Sequence, residues 1–164
     1  MATSLPAGFK PAFTRTQQEG DFDCIFACIA MLTKTTPKDV RQLAVEKFKL
    51  SKHGPYWVSE TLIASLLAHH RLVATVYKEY DSNPLPDVCI LMVDYDEETE
   101  MGRHVLFHRA SIPDTQGGIA RQEYVVDPAY WIDPQKQIRA DWKTLKPAYW
   151  IGVHPMAATN PKTA

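Results

Sequence analysis

The sequence predicts an α+β fold in which helices near the N-terminus pack against an antiparallel sheet formed by the later part of the chain. Apolar residues recur with helical spacing as far as about His70, and strand-like segments rich in β-branched and aromatic residues follow from Leu72. A run of helices followed by a run of strands is typical of α+β proteins, whereas alternating βαβ units would place helices between the strands. We therefore expect one layer of helices on one sheet.

Length and composition fit one domain. The chain has 164 residues, of which 45% are hydrophobic and 23% are charged, and a domain of this size buries about 68–70% of the surface of its unfolded chain. The formal net charge of -1 favours neither nucleic acid nor an anionic membrane as a partner. We expect a folded domain over residues 17–154, an extended leader over 1–16, where prolines and a glycine oppose regular structure, and a flexible tail over 155–164.

The cysteines and the N-terminus indicate where the protein is made. Residues 1–16 lack the continuous apolar run of a secretory signal, and no later segment is long and apolar enough to span a bilayer. Cys24, Cys28 and Cys89 are three thiols, so they cannot all pair within the chain, which suits a reducing compartment or a free reactive thiol. We therefore expect a protein made in the cytoplasm without membrane contact.

Three helices are expected in the first half of the chain. The run CIFACIAML from Cys24 to Leu32 is almost wholly apolar, so it predicts a central helix covered on nearly every side. Thr36 and Pro37 supply an N-cap and a first-turn proline for a second helix that reaches about residue 50. A third helix is predicted over 59–70.

The second half alternates strand-like segments with turns. The strands are predicted at 72–77, 88–93, 104–110, 124–127 and 149–153. The segment 111–122 is polar and contains a proline and two adjacent glycines, which predicts a long hairpin loop.

The segment from Gln18 to Cys24 carries the strongest chemical signal. It places a glutamine six positions before a cysteine that begins the apolar helix. The positive end of the helix dipole stabilises a thiolate, so this position is expected to lower the pKa of Cys24 from the free value of about 8.5. When the thiolate attacks a carbonyl, Gln18 and a helix N-terminal amide could donate hydrogen bonds to the developing oxyanion.

A cysteine nucleophile needs a base, and the base needs an orienting partner. His104 begins one predicted strand and Asp127 ends the next. Antiparallel pairing brings the start of one strand beside the end of its neighbour, so the two side chains are expected to meet. Cys24, His104 and Asp127 are therefore the predicted triad.

Other residues compete for these roles. His108 lies on the same face of the same strand as His104, and Asp133-Pro134 repeats the pattern of Asp127-Pro128. Cys28 and Cys89 are expected to be packing residues, because cysteine is among the most buried residue types. The histidines and cysteines lack the spacing of a zinc site, so neither a metal nor another cofactor is expected.

The motifs around these residues resemble the papain-like cysteine peptidases, and more closely the bacterial double-glycine leader peptidases of bacteriocin exporters. The resemblance rests on the glutamine and Asp-Cys helix start in QEGDFDCIFACIAML, on His104-Val105, and on Asp127-Pro128 after two valines. It covers most of the chain and departs from the family at Ile25, where those peptidases have glycine.

The resemblance implies a thiol peptidase that cuts protein substrates after small residues such as Gly-Gly. In that reaction Cys24 is the nucleophile, His104 the base and acid, Asp127 the orienting carboxylate and Gln18 the oxyanion donor. A free-standing domain of this kind resembles bacterial effector toxins that a secretion system delivers to a recipient cell, with an immunity protein as partner. The same triad would also serve a glutamine or asparagine deamidase or a transglutaminase-like acyl transferase, and a noncatalytic binding module of the same fold is the third alternative.

Overall fold

The computed structural model describes residues 4–54 and 57–157, and in this part of the chain helices precede strands, as the sequence predicts. The three α-helices of the described residues are α1 (Cys24–Thr33), α2 (Pro37–Phe48) and α3 (Glu60–His69). The seven strands in the same residues are β1 (Leu72–Ala74), β2 (Lys78–Glu79), β3 (Val88–Asp96), β4 (Met101–Pro113), β5 (Ile119–Val126), β6 (Ile138–Arg139) and β7 (Tyr149–Pro155). Two short 3₁₀ helices, Pro134–Lys136 and Trp142–Leu145, precede β6 and β7.

All seven strands of the described residues belong to one antiparallel sheet. Their order is β1-β7-β3-β4-β5-β6, and β2 pairs with the other end of β7. The two longest ladders join β4 to β3 and to β5. The strand that carries His104 is therefore held on both sides, in the interior of the sheet.

Helix α1 forms the centre of the core on one face of the sheet. Each residue from Cys24 to Met31 is buried, which confirms the prediction of a helix covered on nearly every side. The apolar sequence explains this position, because such a helix is stable only where other elements remove it from water. Side chains from α2, α3 and alternate positions of the strands pack around it: Val40, Ala44, Ile63, Leu66, Ile90, Leu106, Val126 and Ile151.

A second apolar cluster covers the opposite face of the sheet. Alternate strand residues such as Leu91 and Phe107 point to this side, because successive side chains of a strand face opposite ways. Trp142 and Leu145 of the second 3₁₀ helix pack on them together with Leu85. The sheet is therefore buried on both faces, by α-helices on one side and by the segment around Trp142 on the other.

The hairpin between β4 and β5 differs from the predicted long loop. Pairing continues from Leu106 opposite Val126 as far as Pro113 opposite Ile119, so the strands run well into the polar segment. At the tip, the Asp114 carboxylate accepts hydrogen bonds from the backbone N–H groups of Gln116 and Gly118. Backbone pairing and this local cap order a segment whose composition alone is typical of a loop.

The described part of the N-terminal leader lies against the domain without forming a helix or strand. The rings of Phe9 and Phe13 pack edge-on against Tyr124 and His108. The Arg15 guanidinium donates hydrogen bonds to two backbone carbonyl oxygens of the segment after β5. At the other end, β7 reaches Pro155, and most of the predicted tail lies outside the described residues. In the described chain, every helix is too short or too polar to cross a bilayer.

Candidate active site

The start of α1 is fixed by the loop that precedes it. The Gln18 N–H donates to the carbonyl oxygen of Pro128 at 2.8 Å, which ties this loop to the segment after β5. Gly20 lies so close to Asp23 that a Cβ atom on it would come within 2.7 Å of the carboxylate. Asp23, the N-cap residue of α1, is buried and lies 3.8 Å from the Arg41 guanidinium. These contacts place Cys24 at the edge of the core.

Cys24 and His104 meet across the interface between α1 and β4. The Cys24 sulfur lies 3.4 Å from Nδ1 of the His104 ring. The backbone N–H of His104 also donates to the sulfur, at 3.3 Å. The two residues are 80 positions apart in sequence, so this contact exists only in the folded chain. The sequence-predicted nucleophile and base are therefore brought within hydrogen-bonding distance.

The second ring nitrogen of His104 faces a tyrosine. The Tyr77 hydroxyl lies 2.7 Å from Nε2 of His104, and Tyr77 itself sits in the segment between β1 and β2. Its backbone N–H donates to the Glu60 carboxylate at the start of α3. Sequence reasoning missed this residue, because Tyr77 looks like the end of an apolar strand and no local pattern indicates a distant histidine.

Asp127 does not occupy its predicted place beside His104. One carboxylate oxygen accepts a hydrogen bond from Arg103 at 2.6 Å, and the other accepts from the backbone N–H of Ala129 at 3.0 Å. The ring nitrogens of His104 face Cys24 and Tyr77 instead. The expectation failed because the strand register placed Arg103, the neighbour of His104, against the carboxylate.

Arg103 and Asp127 form a buried ion pair beside the site. The Asp127 side chain is 1% exposed and that of Arg103 is 16% exposed. Arg103 also contacts Asp94 on the partly exposed side, at 2.7 Å. Removing one partner of such a pair leaves an uncompensated buried charge, which costs about 3–5 kcal/mol. Asp127 is therefore engaged by Arg103 and by the Ala129 N–H, and its hydrogen bonds leave out the imidazole of His104.

Gln18 is buried in the loop before α1, and its side chain is engaged within that loop. Its side-chain amide donates to the carbonyl oxygen of Gly20 at 2.7 Å, and the side chain is 2% exposed in total. A primary amide carries two hydrogens, and this bond uses one of them. The second amide hydrogen is the one that could be donated to an oxyanion. The predicted role of Gln18 as oxyanion donor therefore stays a prediction.

Burial dominates the electrostatics of Cys24. Desolvation raises the pKa of the thiol above its ordinary value, although the backbone N–H groups of His104 and Ile25 and the charge of Arg103 lower it. The nearby Asp23 carboxylate also raises it. The expectation that the helix start lowers this pKa is therefore wrong, because the cost of burying a charged sulfur exceeds the stabilisation from these donors.

The other two members of the cluster are neutral near pH 7. Burial lowers the pKa of His104 to about 4, so the imidazole keeps a lone pair for a proton. Burial raises the pKa of Tyr77, and a negative charge on Cys24 or Glu60 would raise it further, so the phenol stays protonated. In the resting site a thiol, an imidazole and a phenol therefore lie in a row, all uncharged.

The competing residues have structural contacts elsewhere. Nδ1 of His108 faces the Tyr124 hydroxyl at 2.8 Å, and the Asp133 carboxylate caps the first 3₁₀ helix by accepting from Gln135. Cys28 and Cys89 are 0% exposed, as expected of packing residues. In the described residues, no three His, Cys, Asp or Glu side chains are arranged to hold a metal ion.

Aromatic side chains stand exposed around the loops that flank the site. Phe22, Tyr130 and Trp131 are 57%, 47% and 51% exposed. The Tyr130 hydroxyl donates to the Asp21 carboxylate, which joins the two loops. Ile25, by contrast, is buried in the helix-side core, so its side chain packs inside the domain and does not face a substrate.

Comparison with known proteins adds no family to these observations. Neither the models of protein families nor the sequences of curated proteins give a match to this chain.

The lowered pKa of His104 predicts a loss of stability in acid. In the unfolded chain its pKa is about 6.5, so between that value and about 4 the unfolded state binds the additional proton. The contribution of neutral His104 is complete above the unfolded value and is lost as the pH falls through this interval. Between about pH 7 and about pH 4.5 it should decrease by about 2 kcal/mol.

Urea unfolding of the wild type and of His104→Gln at both pH values measures this contribution. The free-energy difference between the two proteins should shift by that amount, whereas His53→Gln, at an exposed turn position, should keep the wild-type dependence. An equal pH dependence in wild type and His104→Gln would show that His104 is not a buried neutral imidazole.

Proposed function

We propose that this chain is a papain-like cysteine hydrolase that cleaves peptide bonds, with Cys24 as nucleophile and His104 as base and acid. The observation that carries the proposal is the 3.4 Å contact between the Cys24 sulfur and Nδ1 of His104. A helix start that presents a cysteine to a histidine on the adjacent sheet supports acyl transfer, because this pair supplies both a nucleophile and a proton acceptor.

The reaction begins from the neutral pair. As the Cys24 sulfur attacks the carbonyl carbon, its proton moves to Nδ1 of His104, and the resulting imidazolium then protonates the departing amine. The acyl group remains on the sulfur as a thioester. Water attacks this thioester after giving a proton to the same nitrogen, and the proton returns to the sulfur when the acid product leaves. His104 therefore transfers protons both when the thioester forms and when it is hydrolysed.

In this proposal Tyr77 takes the place beside His104 that was predicted for Asp127. When its phenol oxygen accepts a hydrogen bond from Nε2–H of His104, the Nδ1 lone pair is directed at the sulfur, which is the tautomer that a base requires. A phenol can also donate, so it selects this tautomer less strictly than a carboxylate would. The 2.7 Å contact supports Tyr77 as a positioning residue and as an acceptor for the imidazolium.

The limited access to the Cys24 sulfur restricts which substrate residues can approach it. Cys24 is 7% exposed, so a peptide must bring its carbonyl close to a nearly covered atom. Small residues before the cut approach most easily, which agrees with the cleavage after Gly-Gly that the family resemblance implies. The exposed rings of Phe22, Tyr130 and Trp131 offer apolar surface for flanking residues of an extended substrate.

The proposal predicts protein cleavage that depends on Cys24. Purified wild type should generate new N-termini in a bacterial lysate, whereas Cys24→Ala should generate none, because the nucleophile is absent. The readout is mass-spectrometric mapping of N-termini, which gives the cut site together with the activity. Cys89→Ala, at a buried cysteine on the other face of the sheet, is the matched control and should cut at the wild-type sites.

Two outcomes would reject peptidase action. New N-termini from Cys24→Ala equal to those from wild type would assign them to a contaminant. Intact target proteins that gain about one mass unit at glutamine or asparagine would indicate deamidation by the same acyl-enzyme chemistry.

Tyr77→Phe should lower kcat about tenfold to a hundredfold with little change in KM. The substitution keeps the ring and removes the hydroxyl, and a hydrogen bond to a charged group contributes about 1.5–3 kcal/mol. Steady-state kinetics on a peptide that spans the mapped cut site provide the measurement. Tyr95→Phe, a tyrosine that packs on Tyr149, is the control and should keep wild-type constants. An unchanged kcat in Tyr77→Phe would remove Tyr77 from the mechanism.

A further inference from the structure

The segment after β5, residues 127–131, carries two of the exposed rings beside the site. Tyr130 and Trp131 are 47% and 51% exposed, and their rings pack edge to face. The Tyr130 hydroxyl donates to the Asp21 carboxylate. Asp21 lies three positions before Cys24, so their Cα atoms are within about 11 Å of each other. Segment 127–131 is therefore tied to the loop that leads into the nucleophile.

The N-terminal leader holds the backbone of segment 127–131. The Nε of Arg15 donates to the carbonyl oxygen of Asp127 at 2.7 Å, and its Nη2 donates to that of Ala129 at 2.8 Å. Between these two, the carbonyl oxygen of Pro128 accepts from the Gln18 N–H at 2.8 Å. Three successive carbonyl groups are therefore fixed by residues 15–18, although Arg15 and Asp127 are 112 positions apart in sequence.

This double contact suits an arginine better than a lysine. A guanidinium presents its N–H groups in a rigid plane and can donate to two acceptors at once, whereas an ammonium is a compact point charge. A hydrogen bond that involves a charged group contributes about 1.5–3 kcal/mol. The cation of Arg15 is also attracted by the charge of Asp127. Arg15 is therefore a strong attachment of segment 127–131 to the leader.

The residues before Arg15 attach the leader to the sheet. The Ala12 N–H donates to the Tyr124 hydroxyl at 2.9 Å. The ring of Phe13 packs edge-on against His108. Tyr124 belongs to β5 and His108 to β4. Arg15 therefore connects the sheet to segment 127–131 instead of lying at a free end of the chain.

The hydrogen bonds of Arg15 are separate from those of the reacting groups. Arg15 donates to backbone carbonyl oxygens. The Cys24 sulfur contacts Nδ1 of His104, and Nε2 of His104 contacts Tyr77. Loss of the Arg15 guanidinium should therefore change where segment 127–131 lies and leave the pair of Cys24 and His104 in place.

We propose that Arg15 is a positioning residue for substrate binding, because it fixes the segment whose Tyr130 and Trp131 rings contact the substrate beside Cys24. The leader then forms part of the binding site, although the sequence predicts it as an extension outside the folded domain. This inference rests on the proposed peptidase function, and it adds a residue to substrate binding while the chemistry stays with Cys24 and His104.

Arg15→Met tests this role, because it keeps an unbranched side chain and removes every donor. On a peptide that spans the mapped cut site, KM should rise about tenfold or more with little change in kcat, as expected when an interaction that serves binding alone is lost. Arg15→Lys keeps the charge without the planar fork, so its KM should lie between those of wild type and Arg15→Met.

A second substitution tests whether Arg15 acts through the exposed rings. Trp131→Ala should also raise KM. Adding Arg15→Met to Trp131→Ala should then raise KM much less than Arg15→Met does in the wild type, because residues that act through one contact are not additive.

Two controls separate positioning from general damage. The rate at which iodoacetamide labels Cys24 should be the same in Arg15→Met and wild type, with the thermal unfolding midpoint measured to confirm that the variant is folded. Arg71→Met, at an exposed position after α3, should keep wild-type kcat and KM.

Each contrary result has its own meaning. Equal KM values for wild type and Arg15→Met, or full additivity with Trp131→Ala, would overturn the role of Arg15 while cleavage by wild type still supports the peptidase. Slower labelling of Cys24 in Arg15→Met together with a lower kcat would also overturn it, because Arg15 would then support the whole active site. A wild type that cuts no protein would reject the proposed function and this inference with it.

Discussion

The packing of α1 against β4 is the interaction on which the rest of the structure depends. It places the first residue of a wholly apolar helix against a strand held on both sides by the sheet, and this brings Cys24 to His104. The same burial that stabilises the contact keeps both groups uncharged, because neither a thiolate nor an imidazolium is well solvated there. Reactivity in such a site requires the proton to move as the substrate is attacked, instead of a preformed ion pair.

Charged side chains lie just outside the neutral group formed by Cys24, His104 and Tyr77. The Arg103–Asp127 pair and the hydrogen bonds from Arg15 to the segment after β5 connect the N-terminal leader, β4 and the end of β5. These contacts fix the backbone next to His104. The phenol of Tyr77 contacts the imidazole of His104. Asp127 thus pairs with Arg103, while the Tyr77 hydroxyl lies against Nε2 of His104, where the aspartate was expected.

The sequence predicts local features well and side-chain partners poorly. The apolar run from Cys24 specifies α1, and the Thr36 capping box specifies the start of α2, because both depend on neighbours in the chain. The meeting of Cys24 and His104 follows from the order of the elements. Whether Tyr77 or Asp127 lies beside the His104 ring depends on the strand register and on the path of the chain between β1 and β2. No short sequence pattern encodes either of these. The length of the paired strands in the β4–β5 hairpin could not be predicted either, because the polar composition of residues 111–122 is typical of a loop.

Alkylation of the folded protein by iodoacetamide tests the central pair most directly, with peptide mapping to locate the modified cysteine. The account predicts that Cys24 reacts while Cys28 and Cys89, which are 0% exposed, react after unfolding. It also predicts that His104→Gln slows the reaction of Cys24 by about tenfold or more, because the proton acceptor is lost. A Cys24 that stays unmodified in the folded wild type, or reacts equally fast without the imidazole, would contradict the account.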